Sequence, residues 1–437
     1  MSLGTCNRTS TTMQSIDQGS KHHDEAGAVR VLTLSTVSFT LLFAVWLMLG
    51  VLGVPIKTEF GLSKVQFSWL TAIAILSGSL WRLPFGLWAD RVGGRVAMTT
   101  ITLLTAVPCF MMSFAHSYTQ LLVFALFFGI AGNSFSSGVA WNSAWFSAEH
   151  QGVALGTFGA GNVGASVTKL IGPVLISLLP AGGLLGGLIP GGWRFVPMLY
   201  TALLVMMAVA LWTLSPTPDK KPGAGRSLSD RLKPLRELRV WRFGLYYVVV
   251  FGAYVALSVW LPNYYTTVYK LELPKAAFLT ALFIFPASLL RPLGGYLSDR
   301  FGARVVTFGV FIGMTLAALL LSVLRPEQIG LYGFFALIQL LAVGMGVGKA
   351  SVYKYVPSYY PRDVGSVGGI VGTLGGLGGF LLPLGFGYMD ALTNRPESCF
   401  WLIALVSLAS LVALVVAVGR IRRLERTGDR ALTSVTA

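Results

Sequence analysis

The stretch "WRLPFGLWADRVGGRV" at residues 81–96 returns without gaps as "LRPLGGYLSDRFGARV" at residues 290–305. Seven of the sixteen positions are identical, and both copies contain the pattern G-x-x-x-D-R-x-G-x-R, at 86–95 and at 295–304. Each copy closes an apolar run long enough to cross a bilayer, and the copies lie in opposite halves of the chain. The sequence therefore predicts a protein built from two copies of one membrane-embedded unit.

The composition is also that of a polytopic membrane protein. Of the 437 residues, 54% are hydrophobic and 11% are charged, whereas a typical soluble protein has about 25% charged residues. Twelve apolar spans can be distinguished, each close to or above the roughly 20 residues that a transmembrane helix needs. They cover approximately residues 30–56, 67–89, 96–115, 119–147, 152–180, 194–214, 243–269, 275–298, 304–324, 329–357, 364–390 and 398–419.

Lysine and arginine are distributed unevenly around these spans. If both termini lie on one side, that side carries 21 of the 33 basic residues, the other side carries seven, and five lie inside spans. The positive-inside rule then predicts that both termini are cytoplasmic. The net charge of +16 is therefore a topology signal, with attraction to anionic lipid head groups as a secondary effect. No nucleic-acid partner is expected.

The longest polar connection, residues 215–241, divides the spans six and six. The first 28 residues are polar and lack an apolar core, so no secretory signal is expected there. We predict an all-α membrane protein with two pseudo-symmetric six-helix bundles and a site at their midplane junction, a transporter architecture. The predicted segments are an N-terminal cytoplasmic tail (1–28), a first bundle (29–214), a cytoplasmic linker (215–241), a second bundle (242–419) and a C-terminal cytoplasmic tail (420–437).

Arg82 and Arg291 occupy equivalent positions in the repeat, about 12 Å deeper along a helix than the D-R pair. A charge near the bilayer centre costs about 2.5–3.5 kcal/mol even on a lenient scale. All seventeen carboxylates lie in tails, loops or span ends, so no acid is available as a partner near a span centre. The alternative is that each arginine extends to an interface. Two guanidinium groups at one cavity predict a bound anion, and their planar fork of donors suits a flat oxyanion.

The charged residues of the repeated motif are expected to hold adjacent helices, and the balance between conformations, without touching substrate. They lie at helix ends, where charges face water and lipid phosphates. These residues are Asp90, Arg91, Arg95, Asp299, Arg300 and Arg304.

Two glycine-rich runs, at 156–173 and 365–387, lie within spans five and eleven. Glycine in a helix permits close backbone approach. The runs either line a small central cavity or only provide tight helix contacts, and both alternatives argue against a sugar or a peptide as substrate. Asn162, a lone polar side chain in the first run, can donate to an oxyanion.

The repeated loop motif resembles that of the major facilitator superfamily. Glycine-rich segments in helices five and eleven, with one buried arginine in each of helices two and eight, are similar to the nitrate/nitrite porter family. The positions that carry this likeness are Arg82, Arg291, Gly161-Asn162-Val163-Gly164 and Gly375-Gly376-Leu377-Gly378-Gly379. The resemblance implies nitrate or nitrite as substrate, alternating access and a bacterial inner membrane. Charge and spacing alone support only a small planar anion.

The resemblance also implies that aromatic rings of helices four and seven sandwich the anion. The aromatic candidates here are Phe135, Trp141, Trp145, Phe146, Tyr264 and Tyr265, and Asn133 and Asn142 are polar candidates on the same span four. The predicted substrate-binding set is Arg82, Arg291, Asn162, Gly161, Gly164, Gly376, Gly378, Phe135, Asn142, Trp145 and Tyr264.

Anion uptake into a negative cell works against about 2.3 kcal/mol per 100 mV and therefore needs coupling. The spans contain three lysines, Lys169, Lys349 and Lys354, and a buried lysine can carry a proton near neutral pH. Lys354 lies nearer the cytoplasmic end, so it can instead extend to the interface. Lys169 and Lys349 resemble features of the branch associated with nitrate/proton symport, which is the expected mode.

The sequence alone is also compatible with other functions. The same anion site would serve a nitrate/nitrite antiporter or a nitrite exporter, and paired arginines also suit larger organic anions or phosphate esters. A non-transporting nitrate receptor is a third alternative. No enzyme activity is expected, because the spans lack an acid–base pair, a nucleophile–base set or a metal cluster. The three cysteines are too scattered for a metal site. No cofactor is expected, and the protein is expected to be a monomer.

Overall fold

The computed structural model describes residues 8–147, 151–180, 182–184, 186, 189–221, 227–360 and 364–426. In these ranges helices joined by turns and loops make up the fold, with one isolated β-bridge between Leu184 and Ile189. Eleven described helices are long and apolar enough to cross a membrane, and a bent pair of helices makes a twelfth span. The predicted all-α fold with twelve spans is confirmed.

We number the spans in chain order. They are α1 (Glu25–Glu59), α2 (Lys64–Leu80 and Arg82–Val92), α3 (Gly94–Met112), α4 (Tyr118–Trp145), α5 (Ala154–Leu178), α6 (Gly192–Leu214), α7 (Leu238–Val268), α8 (Leu273–Phe301), α9 (Ala303–Val323), α10 (Pro326–Tyr353), α11 (Ser366–Thr393) and α12 (Pro396–Ile421). We call the end of the bundle that carries residues 215–221 and 227–237 the linker face, and the opposite end the far face.

Two features explain why this sequence forms membrane-spanning helices. In hydrocarbon every backbone polar group needs an internal partner, which a helix provides. The outer surface is also apolar, with exposed large side chains such as Val107, Val174, Met206, Leu316 and Leu405. A soluble protein rarely exposes so much contiguous apolar surface.

The repeated motif makes the same tight turn in both halves. Between α2 and α3 the chain reverses at Gly93, with φ of +94°, and between α8 and α9 it reverses at Gly302, with φ of +85°. A side chain is strained at these φ values, so glycine is required at both turns. The repeat seen in the sequence is therefore a repeat of local structure.

Several helices depart from regular α geometry near the middle of the bundle. A turn at residues 47–48 interrupts α1, α2 bends by 42° after Leu80, and α7 contains a π-helical turn at Val248–Gly252. Short 3-10 turns occur at Gly129–Asn133 in α4 and Gly161–Val163 in α5. Irregular backbone at membrane depth is tolerated where it is buried in protein or lines a cavity. These breaks therefore indicate that the centre of the bundle is a place where a site can form.

The two halves pack closely toward the far face. A Cβ on Gly387 of α11 would lie 2.3 Å from Ser68 Oγ of α2, and a Cβ on Gly50 of α1 would lie 2.7 Å from Val259 Cα of α7. An ion pair of 3.1 Å between Lys64 and Asp390 joins the outer ends of α2 and α11. In this structure the far face is closed.

Two predicted segment boundaries differ from the structure. The helix that continues into α1 already begins at Arg8, within the predicted tail, and α7 begins at Leu238, four residues before the predicted second bundle. Within the predicted linker, Leu228–Leu232 is helical, followed by a 3-10 turn at Lys233–Arg236. Residues 1–7, 222–226 and 427–437 of the predicted tails and linker lie outside the described residues.

Candidate functional site

Arg82 begins the second part of α2, directly after the bend at Trp81, and its side chain is fully buried. Its Nε donates to Gly78 O at 3.0 Å, and its Nη1 donates to Gly372 O of α11, also at 3.0 Å. Its Nη2 is buried and has no hydrogen-bond partner. The guanidinium thus reaches from the first half to the second and keeps one donor group available.

Three aromatic rings surround the Arg82 guanidinium. Its central carbon lies 4.9 Å from the ring centre of Phe251 in α7, 5.2 Å from that of Trp46 in α1 and 5.7 Å from that of Phe135 in α4. Cation–π contacts of this kind stabilise a desolvated cation by about 2 kcal/mol or more. The rings also exclude water from the guanidinium.

Arg291 occupies the same place in the second half. It follows Leu290, at the break that ends the first part of α8, and only 9% of the residue is exposed. Its Nη1 lies 3.5 Å from Gly159 O of α5, so this arginine also reaches across to the other half. Among the described residues, neither Arg82 nor Arg291 has a carboxylate within 4 Å.

Phe135 lies against both arginines. It follows the 3-10 turn Gly129–Asn133 of α4, and its ring centre is 5.7 Å from the Arg82 guanidinium and 5.9 Å from that of Arg291. The ring of Tyr353 in α10 packs edge-on against it at 6.4 Å. One small anion could therefore face both guanidinium groups.

Asn162 lies in the 3-10 turn Gly161–Val163 of α5 and is fully buried. Neither its Oδ1 nor its Nδ2 has a hydrogen-bond partner in the described structure. Leaving a buried polar group unpaired costs about 1–3 kcal/mol, so an orphaned amide indicates a ligand or a water molecule. Its backbone oxygen accepts a bond of 3.3 Å from the hydroxyl of Tyr254, which also contacts Ser288 Oγ at 3.1 Å.

Two lysines are fully buried near these residues. Lys169 Nζ donates to Leu47 O at 2.9 Å, at the break in α1, and Lys349 Nζ donates to Ala287 O at 2.9 Å. Lys349 Nζ also lies 3.2 Å from the ring centre of Tyr254. In the part of the chain that the structure describes, neither amine has an acid within 4 Å.

The Major Facilitator Superfamily family model matches residues 34–285 and 273–434. The chain is 58% identical over 393 residues to the probable nitrate/nitrite antiporter NarK1 of Thermus thermophilus, covering 86% of this chain and 89% of that protein. It is 34% identical to the nitrite extrusion protein of Bacillus subtilis, covering 81% of this chain and 85% of that protein. The chain belongs to the nitrate/nitrite porter family of the Major Facilitator Superfamily. It is a multi-pass membrane transporter.

A solved structure shares the superfamily fold. It is an inward-facing, occupied crystal structure of a bacterial homologue of the human lysosomal transporter Spinster. The TM-score is 0.67 at 18% identity, covering 89% of this chain and 95% of that one. At this identity the likeness shows the fold alone.

The glycines predicted for this porter's site lie at helix contacts. A Cβ on any of the four would lie within 2.6 Å of a neighbouring helix: Gly161 against Phe39, Gly164 against Thr40, Gly376 against Ser79, and Gly378 against Val248. The glycines beside the arginines are others. A Cβ on Gly159 would lie 2.8 Å from Arg291 Nη1, and one on Gly372 would lie 3.8 Å from Arg82 Nη1. In the structure the four predicted glycines therefore permit close packing between helices.

The structure does not bring Trp145 or Asn142 to the arginines. Trp145 Nε1 donates to Asp219 Oδ1 at 3.1 Å on the linker face, and Trp141 Nε1 donates to the same oxygen at 3.0 Å. Asn142 is buried, and its Nδ2 donates to Ser35 Oγ of α1 at 2.8 Å. The two tryptophans therefore contact the linker, and Asn142 packs against α1.

Tyr264 also lies apart from the arginines. It stacks on Phe334 at 5.0 Å and belongs to an aromatic cluster near the far face that includes Tyr265 and Phe400. Asn133 bonds instead to backbone, donating to Ser77 O at 3.3 Å. The ring that α7 contributes at Arg82 is that of Phe251, thirteen residues before Tyr264.

Sequence reasoning missed Phe251, Trp46, Tyr353 and Tyr254. Each is one of many aromatic residues in apolar spans, and nothing in its local pattern distinguishes it. Trp46 precedes the break in α1, and Phe251 lies inside the π-helical turn of α7. Knowledge of these breaks would have identified both rings.

The motif residues of the superfamily lie on the linker face. Lys354, predicted as a possible proton carrier, forms an ion pair with Asp299 there, which agrees with its alternative role at the interface. Arg304 Nη2 donates to Tyr359 Oη at 2.6 Å. Arg300 Nη1 donates to the hydroxyl of Tyr296 at 3.3 Å.

The first copy of the motif contacts the linker. The backbone N–H of Arg95 donates to Asp219 Oδ2 at 2.9 Å, and its guanidinium carbon lies 4.3 Å from the ring centre of Trp212. Asp90 has a partner as well, and Arg91 is exposed at the end of α2. None of these contacts involves the buried arginines.

Proposed function

We propose that this porter carries nitrate or nitrite across a bacterial inner membrane by alternating access. One observation carries the proposal: Arg82 and Arg291 come from opposite halves, and both guanidinium groups lie within 6 Å of the Phe135 ring centre. Among the described residues, neither guanidinium has a carboxylate within 4 Å. The names of the similar proteins support the choice of anion. Both termini are proposed to be cytoplasmic, because the linker face carries most of the lysine and arginine.

The surroundings of the arginines favour a small, flat anion. The unpartnered Nη2 of Arg82 and the unpartnered amide of Asn162 are buried donors. A planar oxyanion presents in-plane lone pairs to such donors, while the face of Phe135 can cover its own face. The two positive charges, held where aromatic rings exclude water, oppose the binding of cations.

Alternating access follows from how the arginines are held. Each guanidinium donates to a backbone oxygen of the other half, and the contact of Arg291 with Gly159 O is long at 3.5 Å. A negatively charged oxygen is a stronger acceptor than a neutral carbonyl. A bound anion would therefore replace these contacts and draw the two halves together around itself.

For coupling, we favour nitrate/proton symport. Lys169 and Lys349 are buried amines beside the central elements, each with one backbone acceptor, and each could gain and lose a proton as access alternates. Nitrate/nitrite antiport is the second candidate, and it is favoured by the name of the relative that is 58% identical. An organic-anion carrier and a non-transporting receptor are less well supported, since the buried donors suit a small ligand and the chain belongs to a transporter family.

The test is nitrate uptake into liposomes with and without an inward proton gradient, with nitrite absent inside. Proton-stimulated uptake that disappears in Lys169→Gln or Lys349→Gln would support symport, whereas uptake that needs internal nitrite would support antiport. Arg82→Lys and Arg291→Lys should each abolish uptake in either mode, because a lysine cannot bond in a bidentate manner. Arg325→Lys, an exposed arginine on the far face, is the matched control. Absence of flux in the wild type would refute the proposal.

A further inference from the structure

An open cavity with a mainly apolar lining and a few polar side chains lies at the far face, on the seam between the two halves. It has a volume of about 420 Å³ and opens between the end of α1 and the end of α7. Its polar lining comes from Lys57 and Thr58 on one side and from Asn263, Thr266 and Thr267 on the other. Among the described residues that line it, Lys57 alone is charged.

The Lys57 amine makes one hydrogen bond to the described protein. It donates to Asn263 Oδ1 at 3.2 Å and lies 5.4 Å from the ring centre of Phe67. The acids nearby are paired elsewhere, Asp390 with Lys64 at 3.1 Å and Glu59 with an arginine of α6 at 2.7 Å. Because an ammonium has three N–H donors, two of them remain for a ligand.

The cavity lies between α1 and α7, the two helices whose rings Trp46 and Phe251 contact Arg82. Trp46 in α1 and Phe251 in α7 contact Arg82, and the cavity residues Lys57 and Asn263 lie about 16–18 Å further along these helices. Between the two levels the seam is closed at Gly50, where a Cβ would lie 2.7 Å from the α7 backbone. Opening of the far face would break the Lys57–Asn263 bond and join the cavity to the centre.

We propose that this cavity is an outer binding site for the transported anion, where Lys57 holds a hydrated monovalent oxyanion before it reaches the arginines. The proposal rests on the proposed function, since it takes the same anion as ligand. The volume exceeds that of a bare planar anion and leaves room for water. The single positive charge gives weak attraction, which suits a site from which the ion must leave inward.

The experiment is initial-rate nitrate uptake in proteoliposomes of one orientation, with nitrate presented either at the far face or at the linker face. Lys57→Gln should raise KM at the far face about fivefold, the effect of losing one solvated charge contact at about 4 Å. KM at the linker face and the maximal rate should not change, and Lys57→Arg should restore the low KM. Lys275→Gln removes an exposed charge from the same face outside the cavity and serves as the control.

A purely structural role for Lys57 predicts a different pattern. If the lysine only fastens α1 to α7, Asn263→Ala should reproduce the effect of Lys57→Gln, and that result would overturn the proposal. Equal KM values for Lys57→Gln and Lys275→Gln would also overturn it, while wild-type transport remained intact. If the wild type itself carried no nitrate, the proposed function would fail as well, so the two failures are distinguishable. High ionic strength should reduce the difference between wild type and Lys57→Gln.

Discussion

Asn162→Leu should make the empty protein more stable and the transporter worse. The side chain is fully buried, and neither atom of its amide has a partner in the described structure. Leucine has nearly the same shape and no polar atoms. Removing the unpaired amide should therefore stabilise the anion-free protein by about 1–3 kcal/mol. This direction is the reverse of the usual effect of a substitution in a buried position.

On the proposed function, the same substitution removes a hydrogen-bond donor to the anion. A hydrogen bond to a charged group contributes about 1.5–3 kcal/mol, so KM for nitrate should rise roughly 10- to 100-fold. The measurements are the melting temperature of purified protein in detergent, with and without nitrate, and the KM for uptake into liposomes. We expect a higher melting temperature without nitrate and a smaller increase when nitrate is added.

Asn142 provides the matched control, because it is an equally buried asparagine whose Nδ2 donates to Ser35 Oγ and to Gly138 O, both at 2.8 Å, so that only its Oδ1 lacks a partner. Asn142→Leu should lower the melting temperature and leave KM unchanged. If Asn162→Leu behaved in the same way, its amide would be satisfied by the protein, and the argument from its orphaned atoms would be refuted.

Two further predictions concern packing. Gly164→Ala should prevent normal assembly, because the new Cβ would lie 1.9 Å from a backbone oxygen of α1, whereas Gly156→Ala in the same run meets nothing within 4 Å and should behave as wild type in yield and melting temperature. Asp219→Ala should lower the melting temperature by several degrees, since two indole N–H groups and the backbone N–H of Arg95 would lose their acceptor. Asp219→Asn keeps one acceptor oxygen and should lie between the two, and equal melting temperatures for all three proteins would contradict the role of this carboxylate.

The sequence was sufficient to predict the number of spans and the burial of Arg82 and Arg291 at equivalent positions of the two halves. Span length, the repeated motif and a charge inside an apolar run can all be read from neighbouring residues. A charge in an apolar run is energetically unfavourable, so it indicates a specific environment in the fold. Asn162 was found in the same way, as the one amide in a run of small apolar residues. The comparison of Asn162 with Asn142 shows the limit of such reasoning. Which asparagine has a partner depends on α1, which is distant in sequence.

The aromatic residues were harder to predict for a related reason. Trp145 was a reasonable candidate from its position in α4, but Asp219 of the linker accepts its N–H, and a contact over 74 positions cannot be read from a pattern. Phe251, which faces Arg82, lies within the π-helical turn of α7, and such turns are set by tertiary packing. Tyr264 was predicted because the resemblance implies an aromatic ring from helix seven, and nothing in the local sequence shows which of the many rings of α7 faces the centre.

In the proposed transport cycle, the choice of partners for the two arginines would let one site both hold and release its substrate. A carboxylate beside Arg82 or Arg291 would neutralise the charge and compete with every anion. At Arg82, water alone could not be the partner, because three aromatic rings surround the buried guanidinium. Backbone oxygens of Gly372 and Gly159 lie between these extremes, since they are neutral acceptors and no side chain shields them. In the proposed cycle an arriving anion would exchange one set of acceptors for a stronger one, so the loaded and empty states would differ by a moderate free energy and both halves of the cycle would stay accessible.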